Sequence, residues 1–383
     1  MSNDLNHTLS AARDAGKLPR ITAYHRLDGP GSSFDLREFQ SAFWQVPAGP
    51  PPADADAFGL WSRALPRTVA ITISTGSSIE AHPHKHGHIG LVSRDFGFEY
   101  DAQAGRVPYD KKIWLIKLMD VFGISGVRFD LSNLISGTKS SGLGGSATMA
   151  TGVAMLANEL AGSPFTREQI VPLAALMEQD LGISITGAQE QSNVAYGGVT
   201  DYVWFPWGIP GSGSGFGTSL RRTLLSEADY PLLQAHLRLY HTGTERLSSN
   251  VNAVWRERLR DAEGCDMHRA ALGLAYEFRE GLRRKDWPRV SQSIGGYRKI
   301  RTELCENYMT RECHDIQAKC GQFGAESFPL GAGGGGAIMV FGQSPDALAG
   351  LDGALGATYR RIDFELKPRG HEFHNLPPKA ATM

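Results

Sequence analysis

A glycine-rich loop directly before a helix is the feature of this sequence best suited to chemistry. Its residues are Ser141, Gly142, Leu143, Gly144, Gly145, Ser146 and Ala147. Glycine leaves backbone N–H groups open to a ligand because it has no Cβ, and a helix start adds unpaired N–H groups and a positive dipole end. The loop therefore predicts a site for nucleotide phosphates, with the Ser146 hydroxyl able to reach a bridging Mg²⁺ ion.

The glycine spacing does not fit two familiar phosphate-binding motifs. A Walker A loop ends in Gly-Lys-Ser/Thr, whereas Gly144 is followed by Gly145. A dinucleotide-binding loop needs GxGxxG spacing and an acidic partner for the ribose, and no such partner stands out. A purely structural alternative stays open at this point, in which the glycines only let a helix pack closely on a sheet.

The pattern of apolar residues predicts the elements that position this loop. Alternation predicts strands at Ile21–Leu27, Thr68–Ser74, His88–Val92 (as the partner of the second strand), Val127–Ser132, Ala337–Phe341 and Tyr359–Glu365. Helical spacing predicts helices at Lys111–Phe122, Ser146–Leu160 and Thr166–Leu181, and over most of 270–320. Because strands and helices mix without strict alternation, the fold class is predicted to be α+β.

Length and composition restrict the class of protein. The 383 residues suit one large or two ordinary domains, and the glycine-rich stretch 208–217 is the best linker candidate, which gives domains at 18–207 and 218–383. A net charge of -1 gives no reason to expect nucleic acid or an acidic membrane as partner. Residues 1–17 lack the apolar stretch of a signal peptide, no apolar run is long enough for a membrane span, and four cysteines without a CxxC pair suggest free thiols in a reducing cytoplasm.

The phosphate loop resembles the central motif of the GHMP kinases, a family of small-molecule kinases that includes galactokinase, homoserine kinase and mevalonate kinase. Arg26 and Asp35, nine residues apart across a Gly/Ser turn, resemble the family's first motif, and Gly331–Gly336 resembles its third. The resemblance implies a two-domain GHMP kinase fold, with an N-terminal domain of the ribosomal-protein-S5 type and a C-terminal α/β sandwich domain. It also implies ATP and Mg²⁺ as cofactors.

Other stretches point to the branch of this family that contains D-glycero-D-manno-heptose 7-phosphate kinase and the L-fucose kinase domain. Val92–Gly97 resembles the segment before that branch's first long helix. Gly187–Gln191 followed by Tyr196–Gly198 resembles its GxQDQ…FGG pattern, and His241–Arg246 resembles its YTGxxR pattern. All motifs run in the family's order and together cover roughly residues 20–345.

The resemblance implies catalytic roles for Glu190 and Arg26. Glu190 stands where the family has the aspartate that orients the acceptor hydroxyl and takes its proton, and the extra methylene moves the carboxylate by about 1.5 Å at full extension. Phosphoryl transfer depends on such positioning and on charge neutralisation. Binding of Mg²⁺ by Glu190 stays open beside this role. Arg26 would stabilise the developing charge and keep the carboxylate ionised. The alternative is that Arg26 is a surface arginine at a strand end.

The resemblance also implies four substrate-binding residues, which are Asp35, Gly334, Gly335 and Tyr196. Asp35 would accept hydrogen bonds from sugar hydroxyls, although an aspartate in a turn also caps its own backbone. The run Gly331–Gly336 contains too much glycine for the interior of a strand or helix. In the family this run lies beside the phosphate loop and shapes the active site.

Four histidines alternate with other residues over one short stretch: His82, His84, His86 and His88. On a strand they would share one face, and imidazole is a good zinc ligand. The proline, lysine and glycine between them indicate instead the solvated tip of a turn. The sequence favours the turn and leaves a metal site open.

Together these features predict an ATP- and Mg²⁺-dependent kinase that transfers the γ-phosphate to a hydroxyl of a sugar, heptose or sugar-like polyol, with the anomeric hydroxyl among the candidates. The alternative is a ligand-binding or regulatory protein on a kinase scaffold with weakened turnover. A fold does not guarantee its usual chemistry, and Glu190 replaces the family's aspartate. The sequence does not specify the acceptor or the oligomeric state.

Overall fold

The computed structural model describes residues 2–45, 49–95, 97–134, 142–206, 219–244 and 248–377. The strands are β1 Arg20–Asp28, β2 Arg67–Pro83, β3 His88–Ser93, β4 Phe98–Gln103, β5 Val127–Asn133, β6 Val199–Trp204, β7 Ser219–Thr223, β8 Leu237–His241, β9 Ala325–Pro329, β10 Ala337–Gly342, β11 Arg360–Arg361 and β12 His371–His374. The helices are α1 Ser2–Asp14, α2 Arg37–Phe43, α3 Ala55–Trp61, α4 Trp114–Asp120, α5 Gly145–Leu160, α6 Arg167–Asp180, α7 Gln189–Tyr196, α8 Tyr230–Ala235, α9 Ser248–Glu257, α10 Ala262–Arg284, α11 Trp287–Leu304, α12 Arg311–Gln322 and α13 Pro345–Gly356.

The described strands form two sheets. The first has the order β12-β1-β2-β5-β3-β4, with β6 paired to β2 and β7 to β6. All pairings in it are antiparallel except that of β3 with β5. The second sheet is antiparallel with the order β11-β8-β10-β9. Every residue of the central strand β10 is buried, as expected for an apolar run covered on both faces. The predicted α+β class is confirmed.

Two strand predictions are wrong in their pairing or extent. His88–Val92 forms a strand, but this strand does not pair with β2. β5 lies between the two, because the chain after Pro83 passes the N-terminal end of β5 before β3 begins. Alternating apolar residues specify a strand and not its neighbour. In Tyr359–Glu365 only Arg360–Arg361 pairs, at the edge of the second sheet, because charged side chains dominate this segment. The last strand is instead β12, which pairs with β1.

The sheet boundaries differ from the predicted domain division. β7 and β12 both belong to the first sheet, although the predicted second domain, 218–383, contains them. The C-terminal segment therefore returns to the first half of the molecule, where Arg20 pairs with His374. The predicted linker at 208–217 lies outside the described residues. Within the part of the chain that the structure describes, no helix combines the length and the apolar character needed to cross a membrane.

Helix α5 lies against β1 and β2 and fixes the loop before it. Gly152 allows the close approach, because a Cβ on this residue would lie 2.6 Å from Cδ1 of Ile79 and 3.1 Å from Cβ of Ala23. Helix α6 packs beside α5 and begins with a capping box between Thr166 and Gln169. The close packing of α5 on the sheet thus depends on Gly152, inside the helix. The glycines of the loop before α5 lie in different surroundings.

Candidate active site

A cavity of about 470 Å³ contains most of the predicted site residues. It opens where the end of β1, the loop before α5, helix α6 and the segment before α7 meet residues from the second half of the chain. Its polar lining includes His25, Arg26, Asp28, Ser33, Asp35, Ser146, Glu178, Glu190 and Asn252, and its apolar lining includes Phe98, Trp114, Leu115 and Met149. The volume and the mixed lining are typical of a small-molecule site.

The loop before α5 presents its backbone to this cavity. Gly142 and Gly144 have φ values of 79° and 80°, a left-handed conformation that favours glycine. Between them the Leu143 side chain is fully buried in the core, so that it anchors the loop and does not line the cavity. Gly145, Ser146 and Ala147, at the start of α5, line the cavity. The predicted residue Ser141 lies outside the described residues.

Glu190 and Arg26 form an ion pair in the cavity. Arg26 is almost fully buried. Its guanidinium contacts a carboxylate oxygen of Glu190, and its Nε lies 2.5 Å from Oδ1 of Asp28. Burial alone would lower the pKa of Arg26, but the charges of Asp28 and Glu190 raise it above the usual value. The alternative of a surface arginine is excluded by this burial. The pair places a carboxylate and a fixed positive charge side by side, next to the phosphate loop.

Asp28 connects this pair to the third glycine motif and was not predicted. Its Oδ2 accepts a hydrogen bond of 2.6 Å from the backbone N–H of Gly331. The sequence contained a signal for it, because Asp28 follows Arg26 by two residues on a strand and such residues lie on the same face. Gly331 and Ala332 line the cavity, so the start of the C-terminal glycine run does lie at the site.

Asp35 lies in the same cavity, against the start of α7. Its Oδ2 accepts a hydrogen bond of 2.9 Å from the backbone N–H of Gln189. Burial, and then the negative charge of Glu190, raise the pKa of Asp35 to about 7. Gly187 is required at this contact, because a Cβ there would overlap the Asp35 carboxylate. Asp35 thus holds the segment that carries Glu190 while it lines the cavity.

Ser146 and Glu178 form the second polar pair of the cavity. The Ser146 hydroxyl donates a hydrogen bond of 3.1 Å to Oε1 of Glu178, which also accepts one of 3.0 Å from Ser184. Burial raises the pKa of Glu178 to about 7, although the two hydroxyls oppose this. A hydroxyl and a carboxylate oxygen at one point are ligands that Mg²⁺ prefers. These residues therefore fit the ion better than Glu190, whose carboxylate contacts Arg26.

Glu178 was missed by the sequence analysis, although the helix period contained a signal for it. On α6 the buried residues Val171, Ala174 and Ala175 precede it at spacings of seven, four and three, so Glu178 falls on the buried face. A carboxylate on such a face is rarely placed there without a partner or a role. Across the described ranges, no group of three or more His, Cys, Asp or Glu side chains is arranged to hold a metal ion alone.

Three of the predicted substrate-binding residues are not brought to this cavity. The Tyr196 hydroxyl donates a hydrogen bond of 3.0 Å to Glu168, and the guanidinium of Arg221 lies 3.5 Å from the centre of its ring. This contact directs the Tyr196 side chain to another surface. Gly334 and Gly335 lie further along the run than the lining residue Ala332, and the N–H of Gly334 donates to Tyr308 O at 3.0 Å.

The four alternating histidines do not converge. His82 lies 3.0 Å from a Glu80 carboxylate oxygen, whereas His84 and His88 both contact Asp101, at 3.2 Å and 2.9 Å. These hydrogen bonds lower the pKa of Asp101. The stretch between β2 and β3 is a turn, as the sequence favoured.

The pKa of Glu178 leads to a testable expectation for stability. The folded-state pKa of about 7 lies above the usual pKa of 4.5, so the stability that the neutral carboxyl provides is complete below the unfolded-state pKa and is lost as pH rises through 7. Glu178→Gln stays neutral. Its free energy of unfolding, relative to wild type, should therefore rise by about 2–3 kcal/mol between pH 5 and pH 8, measured by urea titration without nucleotide or Mg²⁺.

The matched control for this measurement is Glu303→Gln, which changes an exposed glutamate of α11. Its stability relative to wild type should not change between the two pH values. A difference between Glu178→Gln and wild type that stays constant from pH 5 to pH 8 would show that Glu178 titrates normally.

Comparison with known proteins shows which family this chain resembles. Residues 111–198 match the family model described as GHMP kinases N terminal domain. The D-glycero-alpha-D-manno-heptose 7-phosphate kinase of Campylobacter jejuni is 25% identical over 270 residues, which cover 67% of this chain and 73% of that protein. The segment that matches the family model contains the phosphate loop, Glu178 and Glu190.

Solved structures share the fold over more than nine tenths of the chain. A D-glycero-D-manno-heptose 1-phosphate kinase from Bacteroides thetaiotaomicron has a TM-score of 0.65 and 16% identity, over 93% of this chain and 98% of that chain. Lactococcus lactis galactokinase in complex with galactose has a TM-score of 0.66 and 12% identity, over 96% and 99%. The fold is thus that of small-molecule kinases of this type. The matched domain and the curated relative confirm the predicted resemblance to GHMP kinases and to their heptose kinase branch.

Proposed function

We propose that this protein is a kinase that uses ATP and Mg²⁺ to phosphorylate a hydroxyl of a sugar, heptose or sugar-like polyol. The observation that carries the proposal is the Arg26–Glu190 ion pair at the start of α5. A carboxylate, a buried guanidinium and a helix N-terminus at one cavity provide a proton acceptor, a positive charge and an anion site. The names of the relatives, which are heptose phosphate kinases and a galactokinase, support a sugar as the acceptor.

The residues of the site divide the work of phosphoryl transfer among them. The N–H groups of Gly144, Gly145 and Ser146 would bind phosphate oxygens, and Ser146 with Glu178 would hold Mg²⁺, which neutralises phosphate charge when it is bound. The apolar lining with Phe98, Trp114 and Leu115 is suited to a nucleotide base. These groups would hold the nucleotide on one side of the cavity.

Glu190 would act on the acceptor. Its carboxylate accepts a hydrogen bond from the acceptor hydroxyl, which aligns the oxygen with the γ-phosphorus. The oxygen forms the new bond to phosphorus, the bond to the bridging oxygen of ADP breaks, and the hydroxyl proton passes to Glu190. Arg26 pairs with Glu190 before this step and offsets the charge that develops on the phosphoryl group. Asp35 is placed to accept hydrogen bonds from further hydroxyls of the acceptor.

Acceptor-dependent release of ADP tests the proposal. The chain is incubated with ATP, Mg²⁺ and a panel of hexoses, heptoses, their phosphates and cyclitols, and ADP is measured by a coupled assay. We expect release with at least one sugar and a loss of release when EDTA removes Mg²⁺. Binding of ATP without ADP release across the whole panel would contradict the proposal and favour the regulatory alternative.

A further inference from the structure

Ser33 has an unusual backbone conformation in the wall of the cavity. Its φ is 87°, in the left-handed region where a residue with a Cβ is strained. The backbone N–H of Phe34 donates to Gly31 O at 3.0 Å, which closes a turn with Ser33 at its third position. A positive φ at that position is the mark of a type II turn, where glycine is strongly preferred. Serine there costs stability that glycine would not.

Buried side chains of the second half of the chain hold this strained turn in place. The carbonyl oxygen of Ser32 accepts hydrogen bonds of 3.0 Å from Nη1 of Arg301 and of 2.9 Å from the hydroxyl of Tyr297. Arg301 and Tyr297 are both almost completely buried in the core. Gly31 fits tightly against the backbone of Arg67, because a Cβ on Gly31 would lie 2.6 Å from Arg67 O. The turn is therefore fixed from both sides.

The Ser33 side chain is available for a ligand. The residue is partly exposed and lines the same cavity as Asp35 and Glu190. Among the described residues its hydroxyl has no hydrogen-bond partner. The side chain therefore makes no hydrogen bond within this part of the protein that would offset the backbone strain. Strained residues that the surrounding structure holds in place cluster at ligand-binding sites. A hydroxyl can both donate and accept a hydrogen bond, which suits a polyhydroxylated ligand.

We propose that Ser33 is a specificity-determining residue whose hydroxyl binds a hydroxyl group of the acceptor sugar. The inference rests on the proposed kinase function and deepens it. Ser33 lies two residues before Asp35, which contacts the segment that carries Glu190, so in the proposed mechanism Ser33 contacts the acceptor and not the nucleotide phosphates at the start of α5. The side chain contributes to acceptor binding at the expense of backbone stability.

The proposed role predicts that Ser33→Gly raises the stability of the protein and lowers its affinity for the acceptor. Glycine relieves the strain, so the melting temperature should rise by about 1–3 °C. Loss of one neutral hydrogen bond should raise the KM for the acceptor about tenfold, while the KM for ATP changes less than about twofold. The acceptor probe is the panel sugar with the highest kcat/KM in the wild-type protein.

Ser163→Gly is the matched control. Ser163 also has a positive φ, of 62°, and lies in the turn after α5, outside the cavity lining. Its replacement should leave both KM values unchanged. If Ser33→Gly raises the melting temperature but keeps the wild-type KM for the acceptor, or raises both KM values equally, the proposed role of Ser33 is wrong. Such a result leaves the kinase function intact, whereas the absence of ADP release from the wild-type protein would contradict the kinase function itself.

Discussion

Replacement of Glu190 by glutamine is expected to lower kcat by about 10³-fold, within the range of 10²–10⁴ that a positioned general base contributes. Glutamine keeps the size of the side chain and can still accept a hydrogen bond, but it has no charge to accept the hydroxyl proton. Asp28 remains as the partner of Arg26, at 2.5 Å from Nε, so the guanidinium keeps a counter-charge and the fold should stay intact. The KM for ATP should change little, since the loop before α5 is the proposed site for the phosphates.

Glu190→Asp separates the charge of this residue from its reach. Aspartate retains the charge and corresponds to the family pattern that the sequence resembles, but it withdraws the carboxylate by about 1.5 Å. We expect an intermediate loss of kcat, about 10–100-fold, because a misplacement near 1 Å is costly in phosphoryl transfer. Steady-state kinetics of ADP release measure both variants.

Glu303→Gln serves as the control for the loss of one negative charge, since Glu303 is exposed on α11. It should retain wild-type kinetics. If Glu190→Gln retained kcat within about threefold of wild type, a role in proton transfer or hydroxyl orientation would be untenable. The Arg26 ion pair would then have a structural function only.

The parts of the fold that the sequence predicts well are those that local pattern specifies. Helix α5 follows from the run of small and apolar residues after Gly145, and α6 from its cap at Thr166. The neighbours of β3 and the return of β12 to β1 could not be predicted in this way. Arg20 and His374 form a pair although they lie at opposite ends of the chain, and no local propensity specifies such a contact.

The candidate site shows the same division between local and distant information. The loop, Arg26, Asp35 and Glu190 come from motifs with recognisable spacing, and the structure brings them to one cavity. The prediction of Glu178 also requires the helical spacing of the buried residues on α6. Tyr196 followed its motif, but the motif did not include Arg221, whose stacking on the ring directs the side chain away. A motif specifies where the backbone goes more reliably than where each side chain points.

Gly144→Ala is expected to abolish most of the activity, because two separate effects act at this residue. The φ of 80° is strained for any residue with a Cβ. The new Cβ would also lie 2.5 Å from Cγ of Glu190, so the loop or the carboxylate has to move. A displacement of about 1 Å at either group costs about a hundredfold in rate, and in the proposed mechanism both groups act in the same step. We expect kcat/KM to fall at least about 10²-fold, with weaker ATP binding in calorimetry.

Gly162→Ala isolates the backbone strain from the collision. Gly162 has a similar φ of 86°, follows α5 at the surface, and a Cβ there would meet no atom within 4 Å. This variant should lose about 1 kcal/mol of stability and keep its activity. Similar kinetics for the two variants would mean that the contact between Gly144 and Glu190 does not matter for catalysis. A loss of activity confined to Gly144→Ala would show that the phosphate loop and the Glu190 carboxylate act as one packed unit. In that unit the absence of a Cβ at Gly144 determines where the Glu190 side chain can lie.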